Sequence, residues 1–117
     1  MPDLTLGTPG GWGSAAKYEI HLLITSQVVL QSKEGADRPF TMRATRLDLS
    51  WIWSRGEWSL IWSFHGHRYR KSKGDWSPHE QGYMSDHDID LPGWVQPLIE
   101  ANAPSRPPVA TVTGGGR

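Results

Sequence analysis

The stretch LDLSWIWSRGEWSLIWSF, residues 47–64, decides how the rest of this chain is read. Apolar residues alternate with polar ones on both sides of Arg55-Gly56, the period-two signature of two half-buried strands. Glycine supplies the positive φ that a tight connecting turn needs. With Arg55 and Gly56 as the loop, Ser54 faces Glu57, Trp53 faces Trp58, Trp51 faces Leu60, Leu49 faces Trp62 and Leu47 faces Phe64. The apolar partners then share one side of a hairpin. A slip of one residue would send one strand's set to the opposite side, so the pattern specifies this register.

Upstream, Tyr18, Ile20, Leu22, Ile24, Val28 and Leu30 alternate with Lys17, Glu19, His21, Thr25, Gln27 and Gln31, which predicts a long strand over 17–31. Leu23 and Val29 break the alternation and mark an irregularity or partial cover of the second face. SKEGADRP, residues 32–39, is a polar loop with Gly and Pro. The next strand, 40–54, changes parity within itself: Phe40, Met42 and Ala44 share one face, Leu47, Leu49, Trp51 and Trp53 the other. The strand over 57–72 has Trp58, Leu60, Trp62 and Phe64 in step and Tyr69 out of step, with Gly66 between. A β-bulge or coil near residues 44–46 and Gly66 would restore one buried face, because an extra residue resets the alternation.

Beyond Ser72 the sequence KGDWSPHEQGYMSDHD has little periodicity. Pro92 suits a first helical turn, Ala103-Pro104 a stop, and Leu91, Trp94 or Val95, Leu98 and Ile99 form an apolar stripe at helical spacing. A helix of about three turns needs a dock, and the tryptophan-lined face of the sheet is the obvious one. The expected fold is therefore α+β: a three-stranded antiparallel β-meander with one C-terminal α-helix packed on one face and flexible termini. A single domain covers 17–103, between a flexible N-terminal arm, 1–16, and a disordered C-terminal tail, 104–117. Trp12 is expected to pack back on the body.

A length of 117 residues suits one domain, and 12 basic against 12 acidic residues leave no global field toward nucleic acid or anionic membrane. The absence of cysteine removes disulfides, thiolate metal sites and cysteine nucleophiles. No apolar run reaches the roughly 18 residues of a membrane span, and the N-terminus does not read as a secretory signal. A cytoplasmic location is expected, with no membrane partner.

His65 and His67, two apart on a strand, point the same way, and Asp86, His87, Asp88 and Asp90 are candidate further ligands. No zinc pattern is completed, and solvated surface histidines account for the spacing equally well, so neither metal nor cofactor is expected. Asp48 and His65 approach on adjacent strands, as a catalytic pair or an exposed cross-strand contact; without a nucleophile motif, no catalytic residue is assigned. Arg68, Tyr69, Arg70, Lys71 and Lys73, with Arg43 and Arg46 on the neighbouring strand, form a candidate nucleic-acid surface; the alternative is a charged strand end that blocks edge pairing. Seven tryptophans exceed what a small core fully buries; exposed Trp beside Arg is the composition of protein interfaces, and a thin, one-sided sheet that needs large side chains to bury enough area accounts for them equally well.

The order of three strands and a helix resembles the sheet-reading DNA-binding domains of some phage integrases and plant transcription factors. The phrase DLPGWVQPLIEANAP, with Gly- and Pro-rich ends, resembles small orphan proteins of actinobacteria and their phages. That second resemblance covers the C-terminal quarter and implies a non-enzymatic accessory protein. The expected function is a small protein-interaction module, with a protein partner or a second copy bound at Ile52, Ile61 and His65 or along the open edge of the 17–31 strand. Nucleic-acid binding is the alternative.

Overall fold

A computed structural model describes residues 2–14, 16–84 and 88–104, with backbone alone for 6–14 and 82–84. The sequence-derived hairpin stands at its centre. Strands β2 (Lys17–Gln31), β3 (Thr41–Ser54) and β4 (Glu57–Arg70) form an antiparallel meander. Every partner expected from the 47–64 stretch is found, from Ser54 opposite Glu57 through Trp53 opposite Trp58 to Leu47 opposite Phe64. The turn places both loop residues at positive φ, Arg55 at 54° and Gly56 at 80°. That is the primed geometry which matches strand twist. Alanine at position 56 is expected to cost about 1 kcal/mol, since an L side chain is disfavoured at that φ. Equilibrium urea unfolding measures it.

The sheet is wider than the expected three strands. Its order is β1 (Leu4–Ser14), β2, β3, β4 and β5 (Asp75–Trp76), and β6 (Gln81–Met84) also pairs with β4. The expected N-terminal arm is thus largely a strand, and the 17–31 strand is an interior one rather than an edge. Physical chemistry explains why β1 is hard to see in the sequence. It is an edge strand, where Pro9 can sit without removing an interior ladder bond. Its glycines accompany three register shifts, between Leu6 and Thr8, Thr8 and Gly11, and Trp12 and Ser14, which erase any period of two. Trp12 does return to the body in its backbone, opposite Tyr18. The expected C-terminal tail lies, beyond Pro104, outside the described residues.

The parity change in β3 has the expected cause. Ala44 pairs with Gly66 and Arg46 with His65, so Thr45 is the extra residue of a β-bulge. Met42, Ala44, Leu47 and Leu49 consequently all point to one buried face. β4 carries no reset at Gly66. Its alternation runs straight through, leaving Tyr69 with His65 and His67 on the far face and Arg68 on the core side. The irregularity flagged by Leu23 and Val29 is also present: Leu23 pairs with Arg46 and Val28 with Ala44, so residues 24–27 bulge against Thr45 alone. Asp3, just ahead of β1, ties that bulge down, Thr25 N–H donating to the Asp3 carbonyl at 2.8 Å and Asp3 N–H to Ser26 Oγ at 2.9 Å.

One face of the sheet carries the core. Ile20, Leu22, Ile24, Met42, Ala44, Leu47, Leu49, Trp51, Trp62 and Phe64 are buried there with Ile89 and Val95 from the C-terminal segment. The expected helix is present but begins as a 3-10 turn, Gly93–Val95, before α1, Gln96–Asn102. Val95, Trp94, Leu98 and Ile99 dock on the core, with Trp94 edge-on to Phe64 at 5.9 Å between ring centroids. The helix therefore covers the tryptophan-lined face, and among the described residues no helix lies on the opposite face.

Candidate interaction face

On the N-terminal side of the β2 bulge, the far face carries four cross-strand rows over β2, β3 and β4, and a fifth, Val29–Arg43–His67, lies beyond it. The four read Lys17–Ile52–Ser59, Glu19–Ser50–Ile61, His21–Asp48–Ser63 and Leu23–Arg46–His65. These are the residues that alternate with the core set, so the same pleat that buries Leu47 and Leu49 presents Asp48 and Ser50 here.

Asp48 organises the face. Its Oδ1 accepts from His21 Nδ1 at 2.6 Å, and its Oδ2 lies 3.0 Å from His65 Nε2. Arg46 Nε stands 3.0 Å from the same Oδ1, at ion-pair distance but not aligned as a hydrogen bond. The carboxylate side chain keeps only 14% of its surface accessible. An ionised carboxylate only accepts, which assigns the bonded proton of His21 to Nδ1. Thr45 in the bulge donates to the His65 carbonyl at 3.2 Å and also contacts Glu80, fixing the strand beneath the ring. Among the described residues neither imidazole is hydrogen-bonded to a hydroxyl.

Asp48→Ala would remove the acceptor of His21 and the counter-charge beside Arg46 and His65. Each of these three side chains is a quarter to a third accessible, so water recovers part of the loss, and the expected cost is about 1–2 kcal/mol. Denaturant unfolding at neutral pH tests this. A cost below about 0.5 kcal/mol would mean the network is already solvated.

Three apolar side chains stand among the polar ones of these rows. Ile61 and Leu23 are each 43% exposed, and Ile52, one row from Ile61 on the adjacent strand, is half-buried. The expected partner-binding residues Ile52, Ile61 and His65 are therefore brought onto one surface. Sequence reasoning paired Asp48 with His65 but missed His21, whose place depends on the β2–β3 register.

The basic residues expected to act together have separate local engagements, and Arg68 lies on the opposite side of the sheet from Arg43. Arg46 is held by Asp48. Arg43 lies over the Trp76 ring at 5.2 Å, beside Tyr69, which meets Trp76 edge-on at 5.1 Å. Arg68 is on the core side over the Phe40 ring at 4.8 Å. Arg70 forks onto Asp75, with Nε and Nη2 each donating at 2.9 Å. Lys71 and Lys73 are exposed at the β4–β5 turn. His67 donates through Nδ1 to the Ser77 carbonyl at 2.8 Å, and His65 turns to Asp48, so the His-x-His pair does not converge. No group of three or more His, Asp or Glu is arranged to hold a metal among the described residues; Asp86 and His87 lie outside them. No described helix is long and apolar enough to cross a membrane.

Comparison of the chain with protein-family models, curated proteins and solved structures finds no match.

Proposed function

We propose that this chain is a small protein-interaction module that works by covering a surface, and that its binding surface is the far face of the sheet. One observation carries the reading: Ile61 and Leu23 stand exposed on a face whose polar groups are already tied to one another through Asp48. A carboxylate already engaged by three basic side chains costs less to desolvate than a free one, and the apolar side chains beside it gain from cover. The basic residues favour nucleic-acid binding less, because Arg70, Arg43 and Arg46 are each engaged locally and Arg68 points to the other face.

The expected result is a complex in native cell extract. The wild-type chain should elute well above its 13.1 kDa mass, while an Ile52→Lys/Ile61→Lys variant with unchanged circular dichroism elutes as a monomer. A wild-type chain that elutes at its own mass, or a complex indifferent to both lysines, would overturn the reading.

A further inference from the structure

We infer, resting on the interaction reading above, that the partner of the far face is an acidic protein segment. A carboxylate of that segment is taken by Arg43, and an apolar side chain next to it lies on Val29. The observation behind this is the row beyond the β2 bulge, Val29–Arg43–His67.

The other cations of the face have counter-charges within the chain. Lys17 has Glu19 at 3.4 Å, and Arg46 has Asp48 at 3.0 Å. Arg43 has no carboxylate at ion-pair distance among the described residues; it meets the Trp76 ring instead, 5.2 Å from the guanidinium carbon. Glu80, which follows in the chain, is turned to Thr45.

That ring contact holds the cation in place. Trp76 belongs to β5, which lies on the other side of β4 from β3, so the Arg43 side chain reaches across β4. The ring is itself supported, with Tyr69 edge-on to it at 5.1 Å. His67, opposite Arg43, is fixed through Nδ1 to the Ser77 carbonyl at 2.8 Å. A ring attracts the face of a guanidinium and leaves its in-plane N–H donors to an acceptor. A cation held in this way has little side-chain freedom left to lose on binding.

The surrounding charge has the same sign. Residues 66–81 carry Arg68, Arg70, Lys71 and Lys73 against Asp75 and Glu80, and Asp75 is already forked by Arg70. The 32–40 loop at the same end of the sheet is neutral, with Lys33 and Arg38 against Glu34 and Asp37. The excess favours an anion at this end of the sheet.

A carboxylate and a phosphate both suit a guanidinium, and the surroundings favour the carboxylate of a protein. Val29, directly opposite Arg43, is 45% exposed, and Leu23 and Ile61 stand open farther along the face. Such surface gains more from apolar side chains than from a sugar–phosphate chain. A base in search of a stacking platform finds Trp76 already under the guanidinium. The spacing suits one extended segment. His67 lies six residues beyond Ile61 on β4, about 20 Å along the strand. A strand laid along β4 can set an apolar side chain on Ile61 and a carboxylate on Arg43.

Fluorescence anisotropy on the purified full chain tests the proposal, with a labelled peptide of alternating glutamate and leucine as the probe. The wild type should bind it, and should bind the glutamine–leucine counterpart roughly tenfold more weakly. Arg43→Gln, at unchanged circular dichroism, should lose a similar factor. Arg43→Lys, which keeps the charge without the planar fork, should lose less, and Arg55→Gln at the hairpin turn should lose nothing. In native extract the complex should weaken with Arg43→Gln and survive nuclease treatment. Should Arg43→Gln fold poorly, free polyglutamate gives a readout on the wild type, because it should dissociate the complex. Failure to prefer the glutamate peptide, or full binding by a folded Arg43→Gln chain, overturns the inference. Tighter binding of oligo(dT) than of the acidic peptide overturns it too, in favour of a nucleic acid. If the complex in extract depends on Ile61 but ignores Arg43→Gln and polyglutamate, the acidic partner is overturned and the interaction reading stands. Absence of both the complex and peptide binding overturns both.

Discussion

Gly66→Ala is expected to destabilise this protein by about 3 kcal/mol or more. In most strand interiors the same change is neutral or favourable, because alanine has less backbone entropy to lose. Here the sign reverses. A Cβ at Gly66 would stand 2.2 Å from the Arg43 carbonyl oxygen and 2.9 Å from the Ala44 Cα. Both are backbone atoms of the β3 bulge, so no side chain can swing aside. Gly66 is also paired on its other side, with Gln81 of β6. Relief would require β3 and β4 to separate where Thr45 resets the buried face, which would expose Met42 and Ala44. Gly93→Ala is the control, with nothing within 4 Å of the added carbon, and should change stability by less than about 0.5 kcal/mol. Paired urea melts of the two variants decide the matter. A Gly66→Ala chain within about 1 kcal/mol of wild type would mean that the bulge relaxes freely.

The bulge also shows how far the sequence can be read. Along 47–64 each residue's partner follows from a two-residue turn and an unbroken period of two, so the β3–β4 register was legible down to single pairs. The parity change between Ala44 and Leu47 betrayed the extra residue as well, because Met42 and Leu47 are too apolar to face opposite ways on a sheet with one covered side. Legibility ended where local rules stop fixing register. His21 reaches Asp48 only because the 32–40 loop and the 24–27 bulge together set the β2–β3 offset, and neither has a length that dictates pairing. β1 was hidden for another reason. Its Gly and Pro residues suit an irregular edge strand and a coil alike, and its pairing is expressed through backbone atoms rather than through an apolar stripe. The short β5 and β6 were hidden likewise, with two and four residues against the outer edge of β4.

Trp62→Ala is expected to cost about 3–5 kcal/mol, a large part of the roughly 5–15 kcal/mol that holds a domain of this size together. The ring is only 6% exposed, lies opposite Leu49 and meets Phe64 edge-on at 5.9 Å. Phe64 is fully buried and in turn meets Trp94, just ahead of α1. Removing the indole therefore leaves a cavity beneath the aromatic chain that seats the C-terminal segment, and a helix of seven residues has no stability of its own to compensate. Two observables should move together: the denaturation midpoint, and the near-ultraviolet circular dichroism of the remaining aromatic rings. Trp58→Ala gives the comparison, since that ring is half-buried at the hairpin end, against Trp53 at 5.1 Å, and should cost clearly less. If the Trp62 variant lost no more than about 0.5 kcal/mol, the ring would be a surface one. The helix would then have to dock on the other side of the sheet, and the face of Ile61 and Asp48 would be the covered one.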